Sequence, residues 1–272
     1  MTKKPVDLYD SHYGKAEAPV YAAVRRDAFG EDLGQASWIT AGECDEDARW
    51  LGLAAGQRLL EVACGTGGVS TRFAERSGVS VVGIDLHAAA VAAAAARAKE
   101  CGLQDRADFQ VADADAALPF PDASFDALFC NDAVNHFRSR AQVLAEWQRV
   151  LRPGGRCLYT DPVVVTGCLS SAEIAARSSI GFFVFTPPGV NEALLRAAGF
   201  RVAAAVDVTQ GVATTSQRWH DARSKHRAAL LAIEGETRFD EFQRFLATVH
   251  ALASERRLSR YCYVGEKESR AS

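Results

Sequence analysis

The sequence predicts an α/β fold: a doubly wound, mostly parallel sheet of seven strands with a helical cover. Three observations predict it. From about residue 57 to residue 208, short apolar runs alternate with stretches of helical periodicity, the pattern of a parallel sheet covered on both faces. The first run, Leu59-Leu60-Glu61-Val62, passes through Ala63-Cys64-Gly65-Thr66-Gly67-Gly68 into a helical pattern. A strand, a glycine turn and a helix N-terminus together make a seat for a nucleotide-like ligand. Three successive runs then end in an acid, at Glu61, Asp85 and Asp113, which delivers three carboxylates to one edge of the sheet. Any one of these acids alone is equally a helix cap or a turn residue; the set is what carries the argument.

Taken in order, residues 1–16 are polar but include Tyr9 and Tyr13. Residues 17–29 read as a helix and Asp45 to Leu53 as a second, carrying Trp50 and Leu51 toward the sheet. Strands are expected at about 57–62, 79–84, 107–112, 125–130, 155–161, 200–208 and 258–266, and helices at about 68–77, 87–101, 139–150 and 190–198. The stretch Ala88 to Ala98 is nearly all alanine, the strongest helix former, and Gly102 is a natural stop. Residues 162–189 are too long for a plain strand-to-helix connection and suggest a functional cover. Residues 211–255 read as two amphipathic helices broken near Gly235, before the chain returns to a last strand. The expected organisation is one domain over 1–272: an N-terminal cover segment at 1–44, a core at 45–210 and 256–268, and cover or insert helices at 162–189 and 211–255.

Composition narrows the function. A chain of 272 residues can bury one sizeable core. A formal charge of −3 leaves no electrostatic footprint for a polyanion, so nucleic acid is a poor partner. Seven cysteines occur with no close pair, the nearest, Cys157 and Cys168, lying eleven apart. That argues against a zinc site or redox pair and fits reduced thiols in a cytoplasmic protein. No apolar run approaches membrane-spanning length, and no histidine has ligand spacing, so no metal is expected. The oligomeric state is not legible.

A dinucleotide fingerprint would need a third glycine where Ser70 stands, and Glu61 would oppose a pyrophosphate while suiting a ligand with an ammonium group. With these residues in view, the chain resembles the class I S-adenosylmethionine-dependent methyltransferases of the small-molecule type, which have a Rossmann-like fold. The resemblance covers roughly residues 45 to 205 and the last strand. It rests on Glu61-x-Ala-Cys-Gly-Thr-Gly, Gly83-Ile84-Asp85, Ala112-Asp113-Ala114, Phe125-Asp126-Ala127-Leu128 and Leu151-Arg152-Pro153-Gly154-Gly155. It implies S-adenosyl-L-methionine as cofactor, with Glu61 at the methionine end, Asp85 on the ribose hydroxyls, and Asp113 with Ala114 at the adenine. Ala63, Gly65, Gly67, Leu86 and Asn131 complete the implied cofactor wall. Tyr13 and Trp38 are candidates for an aromatic that covers the methionine end, with ordinary packing as the competing role.

The fourth strand exits through Cys130-Asn131-Asp132-Ala133-Val134-Asn135-His136-Phe137, a dense polar set facing the same crevice. Resembling enzymes often carry two histidines here and can draw a general base from them. This chain has Asn135 at the first position and His136 at the second, so His136, Asp132 and Asn135 are the catalytic candidates. A satisfied loop histidine is the competing reading of His136, and Asp161 is either a substrate contact or a turn residue before proline. Methyl transfer from a sulfonium depends mainly on alignment, worth on the order of 7–11 kcal/mol, with a base adding roughly 10²–10⁴-fold. The cover segment Ile180-Gly181-Phe182-Phe183-Val184-Phe185, preceded by Arg177, would suit an apolar substrate or a cation on ring faces, or serve only as packing. The expected function is methyl transfer to an O, N or C atom of a small-molecule metabolite. The alternatives are a nicotinamide-dependent oxidoreductase and a non-catalytic cofactor-binding partner protein.

Overall fold

The structure, a computed structural model, describes residues 18–269. Seven strands form one sheet in the order β3-β2-β1-β4-β5-β7-β6. The strands are β1 Arg58–Val62, β2 Ser80–Asp85, β3 Ala107–Val111, β4 Phe125–Cys130, β5 Leu151–Val165, β6 Phe200–Asp207 and β7 Leu258–Lys267. β1 to β5 pair in parallel. β7 is antiparallel to both its neighbours and lies between β5 and β6. The sheet order reverses direction at β1, and the crevice beyond the carboxyl ends of β1 and β4 is where an open α/β sheet receives a ligand.

Alternate residues of the central strands serve two cores. Leu60, Val62, Val82, Ile84, Leu128 and Tyr159 face one side, against Val143, Leu144 and Trp147 of α5 (Arg140–Val150) and Leu195 of α7 (Val190–Ala197). Leu59, Val81, Ala127, Phe129 and Leu158 face the other, against Cys44 and Leu51 of α2 (Ala41–Leu51) and Val69 and Phe73 of α3 (Gly68–Ser77). Burial on both faces is why these strands carry near-continuous apolar runs. The alanine-rich helix, α4 (Ala88–Glu100), buries Ala90, Ala94 and Ala98.

A third core lies outside the sheet. Val24 and Phe29 of α1 (Pro19–Phe29), Val212 and Trp219 of α8 (Thr209–Lys225), Leu230 of α9 (Arg227–Glu234) and Phe245 and Leu246 of α10 (Glu236–Ser254) pack together with Trp38. The expected pair of helices over 211–255 is thus three. The additional break falls at His226, whose Nε2 lies 2.9 Å from Asp27 on α1, beside Lys225 bonded to the same carboxylate. That contact joins residues 199 positions apart, which local periodicity does not register. α2 starts at Ala41 rather than Asp45 because the Thr40 side chain accepts the Glu43 N–H at 3.2 Å as its cap. Trp50, expected to face the sheet, is instead exposed, while Leu51 is buried.

β5 is longer than expected at both ends. Phe125 pairs with Leu151 and Ala127 with Arg156, so the Arg152-Pro153-Gly154-Gly155 turn bulges out of a strand that has already begun. The cover segment that follows holds α6 (Ser171–Arg177), started by a capping box between Ser170 and Glu173. It returns to the sheet through Val184 N–H to the Asn135 carbonyl (2.8 Å) and Val165 N–H to the Thr186 carbonyl (2.8 Å). Among the described residues, no helix is long and apolar enough to cross a membrane.

Candidate functional site

β1 leaves the sheet through Ala63, which takes a left-handed φ of 59°, a conformation rare for a residue with a side chain. The glycine turn follows. Gly67 has φ 73° and caps the start of α3, and a Cβ there would fall 2.7 Å from the Ala94 Cβ. A Cβ on Gly68 would come within 1.7 Å of the Leu33 carbonyl oxygen. The chain between α1 and α2 therefore lies directly on the turn as a strap. It is held by the Thr66 hydroxyl to the Gly34 carbonyl (3.2 Å), by Asn131 Nδ2 to Ser37 Oγ (2.7 Å) and by the Trp38 N–H to Asp132 Oδ2 (3.0 Å).

Strap, turn and strand ends enclose a cavity of about 530 Å3. Glu61, Ala63, Gly65, Asp85, Leu86, Asp113, Ala114, Asn131, Asp132 and His136 all reach its wall. The structure thus brings together the three strand-end acids and two of the three exit-loop candidates. Gly67 is not on this wall; it lets α3 begin close against α4. Asn135 is fully buried and its side chain reaches no cavity wall, so the expected catalytic position belongs to the loop's interior. Trp38 lies off this wall too, its indole packed edge-on to Trp219 at 5.8 Å and stacked on Phe245 at 6.2 Å. Tyr13 lies outside the described residues.

The acids differ in state. Glu61 is buried and accepts the Ser70 hydroxyl. Burial, with the charge of Asp85 adding, pushes its pKa up to about 8 against the opposing Ser70 bond. At neutral pH and without a ligand this carboxyl holds a proton, and a cation beside it would restore its charge. The Asp85 pKa is also raised by burial, opposed by backbone N–H groups that include those of His87 and Gly65, each 2.9 Å from a carboxylate oxygen. These N–H groups hold both carboxylate oxygens in place, and each oxygen keeps a lone pair for a further donor. Asp113 Oδ1 accepts the Asp115 N–H at 2.9 Å in a turn of its own.

The β4 exit loop is fixed by a residue that sequence reasoning missed. Arg260 of β7 is 1% exposed. Its Nε donates to Asp132 Oδ1 at 2.7 Å, its Nη2 to Asn131 Oδ1 at 2.8 Å, and its Nη1 to Glu43 of α2. The Thr160 hydroxyl joins the network by accepting the Asp132 N–H at 2.8 Å. Asp132, at φ 51°, is consequently a structural counter-ion as well as a wall residue. The one available signal was a lone arginine inside the apolar run Leu258-Ser259-Arg260-Tyr261-Cys262-Tyr263-Val264. Asp161 is fully buried and pairs with Arg140 (2.8 Å), Asn191 (2.9 Å) and Thr186 (3.1 Å). It anchors the cover, away from the cavity.

His136 is half-buried, and its Nδ1 lies 2.7 Å from the Phe182 carbonyl. A carbonyl only accepts, so Nδ1 carries the proton and Nε2 is the accepting nitrogen. Burial lowers its pKa to about 4; the Phe182 carbonyl and the charges of Asp132 and Asp161 oppose the shift, and Arg177 adds to it. A neutral imidazole with its tautomer set by a carbonyl can take a proton from a hydroxyl or hold a polar group in place. Among the described residues, no cluster of three or more His, Cys, Asp or Glu is placed to hold a metal.

The methyltransferase domain family matches residues 60–159 of this chain. The 27-O-demethylrifamycin SV methyltransferase of Amycolatopsis mediterranei is 34% identical over 194 residues, which cover 67% of this chain and 71% of that protein. Among solved structures, that of the 4+2 cyclase SpnF matches with a TM-score of 0.74 at 26% identity, covering 97% of this chain and 95% of the other. The phosphoethanolamine N-methyltransferase 2 of Haemonchus contortus, in complex with S-adenosyl-L-methionine, matches in fold with a TM-score of 0.82 at 20% identity, over 99% of this chain and 62% of that one.

Proposed function

The chain belongs to the class I S-adenosylmethionine-dependent methyltransferases, an enzyme family whose members use S-adenosyl-L-methionine, and from that premise we propose that it methylates an oxygen atom of a small-molecule metabolite. The observation that carries the reading is the meeting of Glu61, Asp85 and Asp113 on one cavity beside the glycine turn. The donor set suits the cofactor: a protonated, buried Glu61 that regains its charge beside an ammonium, and an Asp85 with open lone pairs for two hydroxyls. Asp113 and Ala114 line the same cavity and would receive the adenine. Oxygen is supported by the relative that acts on an O-demethyl compound.

When bound, the cofactor supplies an electrophilic methyl group on a sulfonium. The residues of this chain align the acceptor with it, keep water away and receive a proton. Alignment is the larger contribution, on the order of 7–11 kcal/mol. His136 Nε2 takes the acceptor's proton, while Asp132 and Asn131 hold the loop that presents it. A nicotinamide cofactor is disfavoured because Ser70 occupies the place of a third glycine and donates to Glu61. A formal charge of −3 supports a function without nucleic acid. Seven cysteines without a disulfide support a reducing, cytoplasmic setting.

Calorimetric titration tests the reading. Wild-type protein binds S-adenosyl-L-methionine, and Asp85→Ala weakens binding roughly ten- to a hundred-fold, since a hydrogen bond to a charged group contributes about 1.5–3 kcal/mol. Undiminished affinity in a folded Asp85→Ala variant, or binding of NADH in place of S-adenosyl-L-methionine, would overturn it.

A further inference from the structure

Behind His136 lies a second chamber of about 40 Å3. It shares Ala36, Ser37, Asp132 and His136 with the large cavity, so these four residues form the border between the two. The rest of its wall is dominated by rings: Trp38 from the strap, Phe183 from the cover, Trp219 from α8, and Phe242 and Phe245 from α10. Phe183 sits 4.7 Å from the His136 ring. Four segments of the chain thus turn aromatic side chains toward one chamber beside the proposed base. A water needs about 10–15 Å3 of such space, so the chamber has room for about three heavy atoms, one edge of a metabolite. The remainder of such a molecule would extend toward Phe182, which is 42% exposed at the rim of the large cavity with Arg138 4.6 Å from its ring centre.

Resting on the methyl-transfer reading, we propose that this chamber is the acceptor subsite and that it selects the edge of a flat, neutral hydroxyl compound of phenol or enol type, rejecting an amine in its ammonium form. Ring walls by themselves would suit either class, because aromatic faces also attract cations. Here three of the five rings already face the protein's own cations: the buried Arg177 guanidinium lies 4.6 Å from the Phe183 ring centre and 5.3 Å from that of Phe245, and Arg223 lies 4.6 Å from that of Phe242. Arg177 is also part of the chamber wall, where it repels a second cation. An incoming ammonium would have to share those ring faces. Nor does a carboxylate at this border offer a counter-ion. Asp132, the carboxylate at this border, is engaged by Arg260 and the Trp38 N–H, and Asp161, which lines neither cavity, is buried against Arg140. A hydroxyl meets instead the accepting Nε2 of His136. The O–H proton passes to that nitrogen, the oxygen forms its bond to the methyl carbon as the carbon–sulfur bond breaks, and the sulfur leaves as a neutral thioether. The imidazolium then loses the proton to solvent.

Two chamber residues, Trp38 and Trp219, are built-in fluorescent reporters. Protein loaded with S-adenosylhomocysteine is titrated with 2-naphthol and with naphthalen-2-ylmethylammonium, which share a ring system and differ in charge. Quenching by 2-naphthol at an affinity at least about tenfold above that of the ammonium compound is expected. Ile180→Trp, which fills the chamber from the half-buried cover loop, is expected to weaken 2-naphthol at least about tenfold while leaving S-adenosylhomocysteine within about twofold. Ile180→Phe replaces it should the larger variant lose its circular-dichroism spectrum. Absence of 2-naphthol binding, equal affinity for the two probes, or indifference to the filled chamber would each overturn the proposal. Failure of wild-type protein to bind S-adenosylhomocysteine would instead strike the reading beneath it.

Discussion

In water an imidazole takes up its proton near pH 6.5; at the border of the two cavities His136 does so only near pH 4, burial outweighing the Phe182 carbonyl that its Nδ1 meets. As the proposed base it is therefore neutral across the physiological range, and a rate limb near pH 6.5, the expectation from the residue type alone, is displaced downward. With an acceptor in hand, His136→Ala should lower turnover by roughly 10²–10⁴-fold, toward the lower figure because a base of low pKa is a weak one. Cofactor affinity should hardly change. The wild-type rate should show no histidine limb between pH 5.5 and 8, measured as kcat against pH. A variant within a few-fold of wild type would make His136 a loop histidine. The same shift enters stability. Between about pH 4 and 6.5 the unfolded chain binds more protons at this residue than the folded one, so its contribution to stability is full above pH 6.5 and is lost as pH falls through that window.

Among the elements, the strap owes its position to an absent side chain. Gly68 opens α3 in ordinary helical conformation, so alanine there incurs no backbone strain. The obstacle is the Leu33 carbonyl, 1.7 Å from the place a Cβ would take, with the carbonyl carbon at 2.6 Å. Neither is the far end of a flexible side chain, so the strap must move, and Gly34 to Ser37 are part of the cavity wall. Gly68→Ala should therefore weaken S-adenosyl-L-methionine binding and reduce stability by about 1–3 kcal/mol, the usual scale of overpacking. Calorimetry and urea denaturation measure the two effects. Gly42→Ala is the control, since a Cβ there meets nothing within 4 Å in α2. It should leave binding unchanged and stability equal or slightly higher. Equal behaviour of the two variants would mean that the strap does not rest on the turn.

At the scale of the whole molecule, Arg260 ties the last strand to the second helix and to the β4 exit loop, 217 and 128 residues away. Removing one partner from a buried ion pair leaves a charge without compensation and costs about 3–5 kcal/mol. Arg260→Met should lower stability by that order, read as a shift of the urea midpoint. Arg260→Met with Asp132→Asn should recover part of the loss, because one of the two stranded carboxylates is then neutral. No recovery in the double variant would assign the loss to the packing of the arginine stem.

What the sequence determined by itself was whatever depends on near neighbours. Strand periodicity, the glycine turn, the acids at the ends of β1, β2 and β3 and the helix stops are all set by residues within a few positions of one another, and direct contacts follow from backbone geometry. Tertiary structure decided what each exit-loop side chain does. Asn131, Asp132, Asn135 and His136 lie within six positions and read as one polar set. Yet two are bound by Arg260, one points into the interior, and one has its tautomer set by Phe182 of the cover. A buried polar group generally takes its partner wherever the fold brings one, and for Asn131, Asp132 and His136 those partners include the last strand and the cover segment. The break at His226, the turn of Trp38 toward the helical core and the joining of two cavities at His136 have the same origin: each is settled by a contact with a segment that local sequence does not contain.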